Sequence, residues 1–301
     1  MRKSATIALA LFLGLAATAR ALVIAGGNGT ANFSAPSDDP GWSNVASNGV
    51  YLGNYNGAYW AITATHVGPG DMVLGGQTYT YVPGSAVPVL NANSSTSDLT
   101  LFRLASNPGL PTLALATSNP TTNDIVTLVG DGLMEGSFKR WTVNTTTNPD
   151  TWTEVGSGGD MFGYSEISGA GKRWGLAVVA GTATVSVSGR PTATYYTEFI
   201  AANGSSQAAS GDSGGAAFFK IGGTWYLNGI ISAVATYNSG ATPDGQPGST
   251  AVFGNVTFMS SIADYNSFIV SVVPEPATWA GWAGALALGV VAFRRKMNKA
   301  R

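Results

Sequence analysis

Three residues carry the chemistry that this sequence advertises. Ser213 lies in Ser210-Gly211-Asp212-Ser213-Gly214-Gly215-Ala216. A serine nucleophile needs its hydroxyl on a tight turn, with backbone N–H groups aimed at the oxyanion that develops on the attacked carbonyl. Glycines on both sides of the serine allow such a turn and let a substrate approach closely; the same segment also reads as an ordinary loop. His66 ends the apolar run Ala61-Ile62-Thr63-Ala64-Thr65-His66 and is the chain's only histidine. A lone histidine is commonly structural, but any nucleophile here has this one imidazole available as a base. Asp98 opens Ser97-Asp98-Leu99-Thr100-Leu101. An aspartate at the start of a buried strand can hold an imidazole in one tautomer and favour its protonated form, although a strand-start turn residue is the commoner role. Asp71, in Gly68-Pro69-Gly70-Asp71, reads as an exposed turn. Together the three point to acyl transfer by nucleophilic catalysis.

Composition removes most competing chemistries. The 301 residues include no cysteine, which excludes disulfides, thiolate zinc sites and cysteine nucleophiles. One histidine excludes any site built on two imidazoles. Charged residues are only 10%, against about 25% in an average soluble protein, so neither a coiled coil nor a highly charged disordered chain fits. The net charge of −1 hides an uneven distribution. Eight of the 15 basic residues lie near the termini, and the segment from Leu22 to Pro276 holds seven basic and 16 acidic residues, a net −9. An acidic body without a basic stripe argues against nucleic-acid binding.

The elements that must position the three residues are strands. Alternating or β-branched runs occur at Thr78–Val82, Leu99–Leu104, Ile125–Val129, Thr182–Val187 and Trp225–Ile231, punctuated by Gly, Asn, Ser and Pro clusters. One helix is expected over Ser260–Ile269, where Ile262, Tyr265 and Ile269 fall at helical spacing. The stretch Pro108–Asn123, rich in Pro, Thr, Ser and Asn, reads as a link between two halves. The expected class is all-β in two domains, residues 22–118 with His66 and Asp98, and residues 119–270 with Ser213.

The chain order His66, Asp98, Ser213 resembles that of trypsin/chymotrypsin-like serine proteases. Thr63-Ala64-Thr65-His66, Asp98-Leu99-Thr100-Leu101, Gly211-Asp212-Ser213-Gly214-Gly215, Gly229-Ile230-Ile231-Ser232 and Ile24-Ala25-Gly26-Gly27 each resemble a family segment. The resemblance implies two six-stranded antiparallel β-barrels with the site between them, followed by a short C-terminal helix. It implies His66 as general base then acid, Asp98 as its orienter, Ser213 as nucleophile, and the N–H groups of Gly211 and Ser213 as the oxyanion hole. Ser232 would assist near Asp98 and line the cleft. A freed Ile24 would be the mature N-terminus and Asp212 its partner, although cleavage after Ala21 would leave Leu22-Val23 ahead of it. Gln207 at the pocket floor and Val234 on its wall imply small or medium uncharged substrate side chains, with Glu166 and Asp160 able to disturb that alignment. The disulfide that usually staples the nucleophile loop is absent; Ala209 stands at one expected position. Protein or peptide substrates are implied, and the mechanism requires no metal or organic cofactor.

Both ends read as addresses. Met1-Arg2-Lys3, the apolar run Ala5–Ala17 and Ala19-Arg20-Ala21 form a secretory signal peptide over residues 1–21, for Sec export. At the other end, Pro274-Glu275-Pro276 precedes the apolar stretch 277–293, at the lower length limit for a transmembrane helix, and a basic tail. Residues 271–301 therefore resemble the PEP-CTERM sorting signal of Gram-negative bacteria, which implies an exosortase-type partner, a transient membrane anchor and a destination at the cell surface or extracellular matrix. The expected function is a surface-directed serine endopeptidase. The alternative is a catalytically silent matrix or adhesion protein on the same fold, which the low-charge, Gly/Asn/Thr-rich composition would suit.

Overall fold

The computed structural model describes residues 22–168, 171–237 and 243–273. The first part of the chain forms β1 (Val23–Ile24), β2 (Val45–Ala46), β3 (Gly49–Tyr55), β4 (Ala58–Ala64), β5 (Met72–Leu74), β6 (Gln77–Tyr79), β7 (Val87–Leu90) and β8 (Thr96–Leu104). Five of these make one antiparallel sheet in the order β2-β3-β4-β8-β7, and β5–β6 is a separate hairpin. Strand β8 is buried almost throughout because the sheet is covered on both faces. Leu99 and Leu101 join Val50, Leu52 and Ile62 on one side. Phe102 and Leu104 join Tyr51, Ala61 and the hairpin's Met72 and Leu74 on the other.

The expected six-stranded barrel in this half does not close: the ladder stays open between β7 and β2. The edges explain this. Strand β2 is two residues long, and Pro88 in β7 has no N–H to donate to a further strand. The hairpin covers the sheet instead, and its exit segment meets β8 through a Tyr81–Leu104 bridge.

The rest of the chain forms β9 (Ile125–Gly130), β10 (Met134–Asn144), β11 (Thr151–Glu154), β12 (Met161–Ile167), β13 (Arg173–Val187), β14 (Arg190–Glu198), β15 (Ser206–Gln207), β16 (Ala216–Ile221), β17 (Thr224–Ala235), β18 (Thr250–Val252), β19 (Val256–Ser261) and helix α1 (Ile262–Val272). Here the barrel does close, as β13-β14-β19-β17-β16-β9. Its interior holds Val126, Leu128, Ala177, Val179, Tyr195, Ala217, Ile231 and Met259. Between β9 and β13 the chain leaves the barrel to build a second sheet, β11-β10-β12-β18. Its strands carry too many polar residues for their pattern to stand out in the sequence.

Helix α1 begins where Ser261 accepts a hydrogen bond from the Asp264 N–H, and it buries Ile262, Tyr265 and Ile269 as the spacing predicts. The Tyr265 hydroxyl accepts from Ala193 N–H in the barrel and donates to Asn91 beside the first sheet, at 2.9 and 2.7 Å, so it ties the halves together. The N-terminal strand β1 pairs with β15, on the Ser213 side of the molecule. Among the described residues no helix is long and apolar enough to cross a membrane. The signal-peptide segment 1–21 and the stretch 274–301, with the expected membrane helix 277–293, lie outside the described residues.

Candidate active site

His66 follows β4, and Asp98 lies in the neighbouring strand β8. The register pairs Ala64 with Leu99, which brings the two side chains to the same end of the ladder. His66 Nδ1 is 2.8 Å from Asp98 Oδ2, and the His66 backbone N–H donates to Asp98 Oδ1 at 3.0 Å. The Asp98 side chain is 0% exposed and that of His66 24% exposed. Both carboxylate oxygens therefore face the histidine. A proton on Nδ1 directed at Asp98 would leave the lone pair on Nε2. The backbone of Asp98 is anchored across the molecule, its N–H donating to Thr192 Oγ1 of β14 at 2.9 Å.

Ser213 sits on the loop between β15 and β16, partly exposed between buried Asp212 and Gly214. Two points hold this loop. Gly214, at φ +87°, lies so close to the first half that a Cβ would stand 3.0 Å from Thr63 Oγ1 and 3.1 Å from Asn48 C. Ser213 is thereby brought against the strand that leads into His66. Gly132 stacks backbone to backbone on the loop, since a Cβ there would meet Asp212 N and Ser210 O at 2.5 Å. The Leu133 N–H donates to Ser210 O at 2.9 Å. These contacts take the place of the missing disulfide.

The loop's N–H groups fall into two sets. Those of Asp212, Gly214 and Gly215 donate to Ala209 O, Ile231 O and Asp212 O. Those of Gly211 and Ser213, the pair expected to form the oxyanion hole, donate to no described residue. A turn that leaves two adjacent donors free beside a serine hydroxyl is suited to receive an anionic oxygen.

Asp212 is where the sequence expectation needs correcting. Its carboxylate is buried and accepts from Gly132 N–H at 2.8 Å, Ala209 N–H at 2.8 Å and Leu22 N–H at 3.2 Å. Burial pushes its pKa up from 3.8 to about 7 despite those three donors, and nearby Asp131 adds to the rise. The residue that reaches Asp212 is Leu22, not Ile24. The Ile24 N–H donates instead to Glu135 Oε2 at 3.0 Å. Glu135 is held by a bidentate pair with Arg173, at 2.8 and 3.0 Å, both side chains fully buried. Arg173 also donates to the carbonyls of Leu22 and Ala31. This ion pair clamps residues 22–31 and sets the position of Leu22. Sequence reasoning missed Glu135 and Arg173; buried charges in otherwise apolar β-rich surroundings were the only available signal.

Gln207 and Val234 line one cavity of about 200 Å³, together with Ala208, Ala209 and Ser210, just before Ser213 in the chain. Ser232 departs from its expected role. Its hydroxyl bonds to Ile230 O and Ser260 Oγ inside the barrel rather than to Asp98. Asp160 stays within the inserted sheet and accepts from Val143 N–H. Glu166 does reach the cavity.

The mostly β fold, one half a closed six-stranded barrel and the other an antiparallel sheet, with one short C-terminal helix, is consistent with the double β-barrel of chymotrypsin-like proteins. The trypsin family model matches residues 46–252, well over half of the chain, and the chain belongs to the trypsin family. Similar solved structures include a double mutant of human heparin binding protein, at 16% identity over 81% of this chain and 96% of that one, with a TM-score of 0.48. Kallikrein-related peptidase 10 is 16% identical over 75% and 88%, with a TM-score of 0.40. The inactive form of Rv3671c protease is 13% identical over 78% and 90%, with a TM-score of 0.42. No curated protein matches the chain significantly.

Proposed function

We propose that the chain is a serine endopeptidase that works through His66, Asp98 and Ser213. The observation that carries this reading is the 2.8 Å contact between His66 Nδ1 and a fully buried Asp98, at the place where the Ser213 loop packs against β4. In this mechanism the Ser213 hydroxyl attacks the peptide carbonyl while His66 Nε2 takes its proton. Asp98 holds the ring and offsets the charge that forms on it. The free N–H groups of Gly211 and Ser213 bind the tetrahedral oxyanion. His66 then passes the proton to the leaving amine, and water hydrolyses the acyl-enzyme by the same steps.

Maturation follows from the same contacts. In the intact chain Leu22 N is an amide, and Leu22 adopts φ +57°, a left-handed conformation that is costly for a bulky residue. Cleavage after Ala21 removes the preceding carbonyl that makes this conformation costly. It also turns the donor 3.2 Å from Asp212 into an ammonium. Asp212 has no cation beside it among the described residues, so the new charge compensates a buried carboxylate. Removal of the export signal is then the step that stabilises the nucleophile loop. The Pro274-Glu275-Pro276 end and its basic tail support exosortase-type sorting to a Gram-negative cell surface or matrix.

The test is hydrolysis of casein by the fragment beginning at Leu22, wild type beside Ser213→Ala, with fluorophosphonate labelling of both. Turnover and labelling in the wild type alone are expected. A folded wild type that does neither, and a fragment beginning at Ile24 that does neither, would overturn the endopeptidase reading in favour of the catalytically silent one.

A further inference from the structure

The inserted sheet does more than decorate the barrel. Glu166 lies on β12, directly opposite Glu135 on β10. Side chains paired across antiparallel strands share a face, and Tyr164, two residues earlier on the same face, packs inward against Phe199 and Phe253. Glu166 therefore points toward the barrel, where it lines the 200 Å³ cavity with Gln207, Val234 and Gln246. Its backbone is fixed there, the Glu166 N–H donating to Ser249 O at 2.7 Å.

The two facing glutamates differ in one respect. Glu135 has its arginine. Glu166 has no cation and no side-chain hydrogen bond among the described residues, and its partial burial raises its pKa. Across the cavity, Gln207 is 1% exposed and its buried Oε1 atom has no partner among the described residues. A buried acceptor without a donor and a partly buried carboxylate without a cation are both costly. A substrate side chain bearing N–H donors and a positive charge would satisfy both.

We propose that Glu166, delivered by the inserted sheet, is the acidic determinant of the substrate pocket, and that with Gln207 it selects a lysine or arginine side chain on the acyl side of the cleaved bond. This rests on the endopeptidase reading and replaces the uncharged preference drawn from Gln207 and Val234 alone. The acid enters through the pocket wall from β12, and the floor supplies a neutral acceptor. A cavity of this size takes one side chain, not a larger ligand.

The experiment has two arms. Peptide substrates that differ only in that side chain (Arg, Lys, Gln, Leu, Ala, Glu) are compared by kcat/KM. Arginine or lysine is expected to lead, and Glu166→Gln to lower that lead by about 30-fold or more, as for a buried charge pair that loses one partner. Glu166→Lys is expected to raise cleavage after glutamate, a gain that misfolding cannot produce. Preference for leucine or alanine in the wild type, or an unchanged lead in Glu166→Gln, would overturn the proposal. The second arm needs no turnover: benzamidinium binding to Ser213→Ala, with and without Glu166→Gln, read by calorimetry. Binding that depends on Glu166 sustains the pocket assignment even if the wild type proves inert, which would sink only the endopeptidase reading. No binding in Ser213→Ala would overturn the assignment even if the wild type cleaves peptides.

Discussion

The two halves of the site are assembled by different means. In the first half, His66 and Asp98 stand on adjacent strands, and sheet register alone brings them together. Both oxygens of Asp98 are used by one residue. In the second half, the Ser213 loop meets β17 only at its end, where Gly214 N–H donates to Ile231 O and Ile231 N–H to Gly215 O. It depends on the N–H of Leu22, the bare backbone of Gly132 and, one step removed, the Glu135–Arg173 pair. The histidine–aspartate pair is thus built by strand pairing, whereas the Ser213 loop is held by hydrogen bonds and backbone packing over long sequence distances. Without a disulfide, those contacts keep the loop in place.

The largest expected effect breaks the first half chemically without unfolding it. Asp98→Asn should lower kcat by about 10⁴-fold, because the amide favours the wrong imidazole tautomer, with little change in Tm. The counterpart in the second half acts on stability first. Arg173→Met leaves Glu135 buried and unpaired and should cost about 3–5 kcal/mol by denaturant unfolding. The double variant Glu135→Leu/Arg173→Met should recover part of that loss while still releasing Leu22. A smaller loss by the single variant than by the double one would refute the clamp.

Acidity separates the halves further. An acid whose folded pKa exceeds its unfolded value of 3.8 binds its proton more tightly when folded. Stability from that source is therefore complete below about pH 4 and lost as pH rises to about 7. The chain that retains residues before Leu22 should lose stability across this window, and Asp212→Asn should reduce the dependence to what Asp131 and Glu166, both also raised by burial, contribute. The chain that begins at Leu22 should show less of it, since an ammonium lowers the pKa of its partner. Equal pH profiles for the two chains, measured by thermal unfolding, would count against Leu22 as the mature terminus.

Gly132→Ala should displace the loop by steric contact and reduce kcat by about 10²–10³-fold, in the range for loss of one oxyanion donor, with KM less affected. The smallest effect tests how self-contained the first half is. Thr192→Val leaves the Asp98 N–H without its acceptor from β14 and should cost about 1–3 kcal/mol of stability. An activity loss as large as that of Asp98→Asn would show that register alone does not position the aspartate.

Local rules made much of this legible. The Gly-Asp-Ser-Gly turn, the strand ending at His66 and the strand bearing Asp98 are short-range patterns of turn chemistry and burial. Helix α1 was readable because Ile262, Tyr265 and Ile269 repeat at its period. The inserted sheet was not, because β10 and β11 mix lysine, arginine, glutamate and threonine with their aromatic residues. The open edge of the first sheet is not legible because Pro88 and the two-residue β2 act only once a neighbouring strand is sought.

The sequence by itself determined which residues could act as nucleophile, base and orienter, since one serine turn, one histidine and one strand-opening aspartate leave little choice. Only the tertiary structure decided that Leu22 rather than Ile24 meets Asp212, that Arg173 answers Glu135, and that Glu166 enters the pocket unpaired. Those outcomes join segments up to 190 residues apart. The cost of leaving a charge buried and alone selects such partners, and that cost exists only after the chain has folded around it.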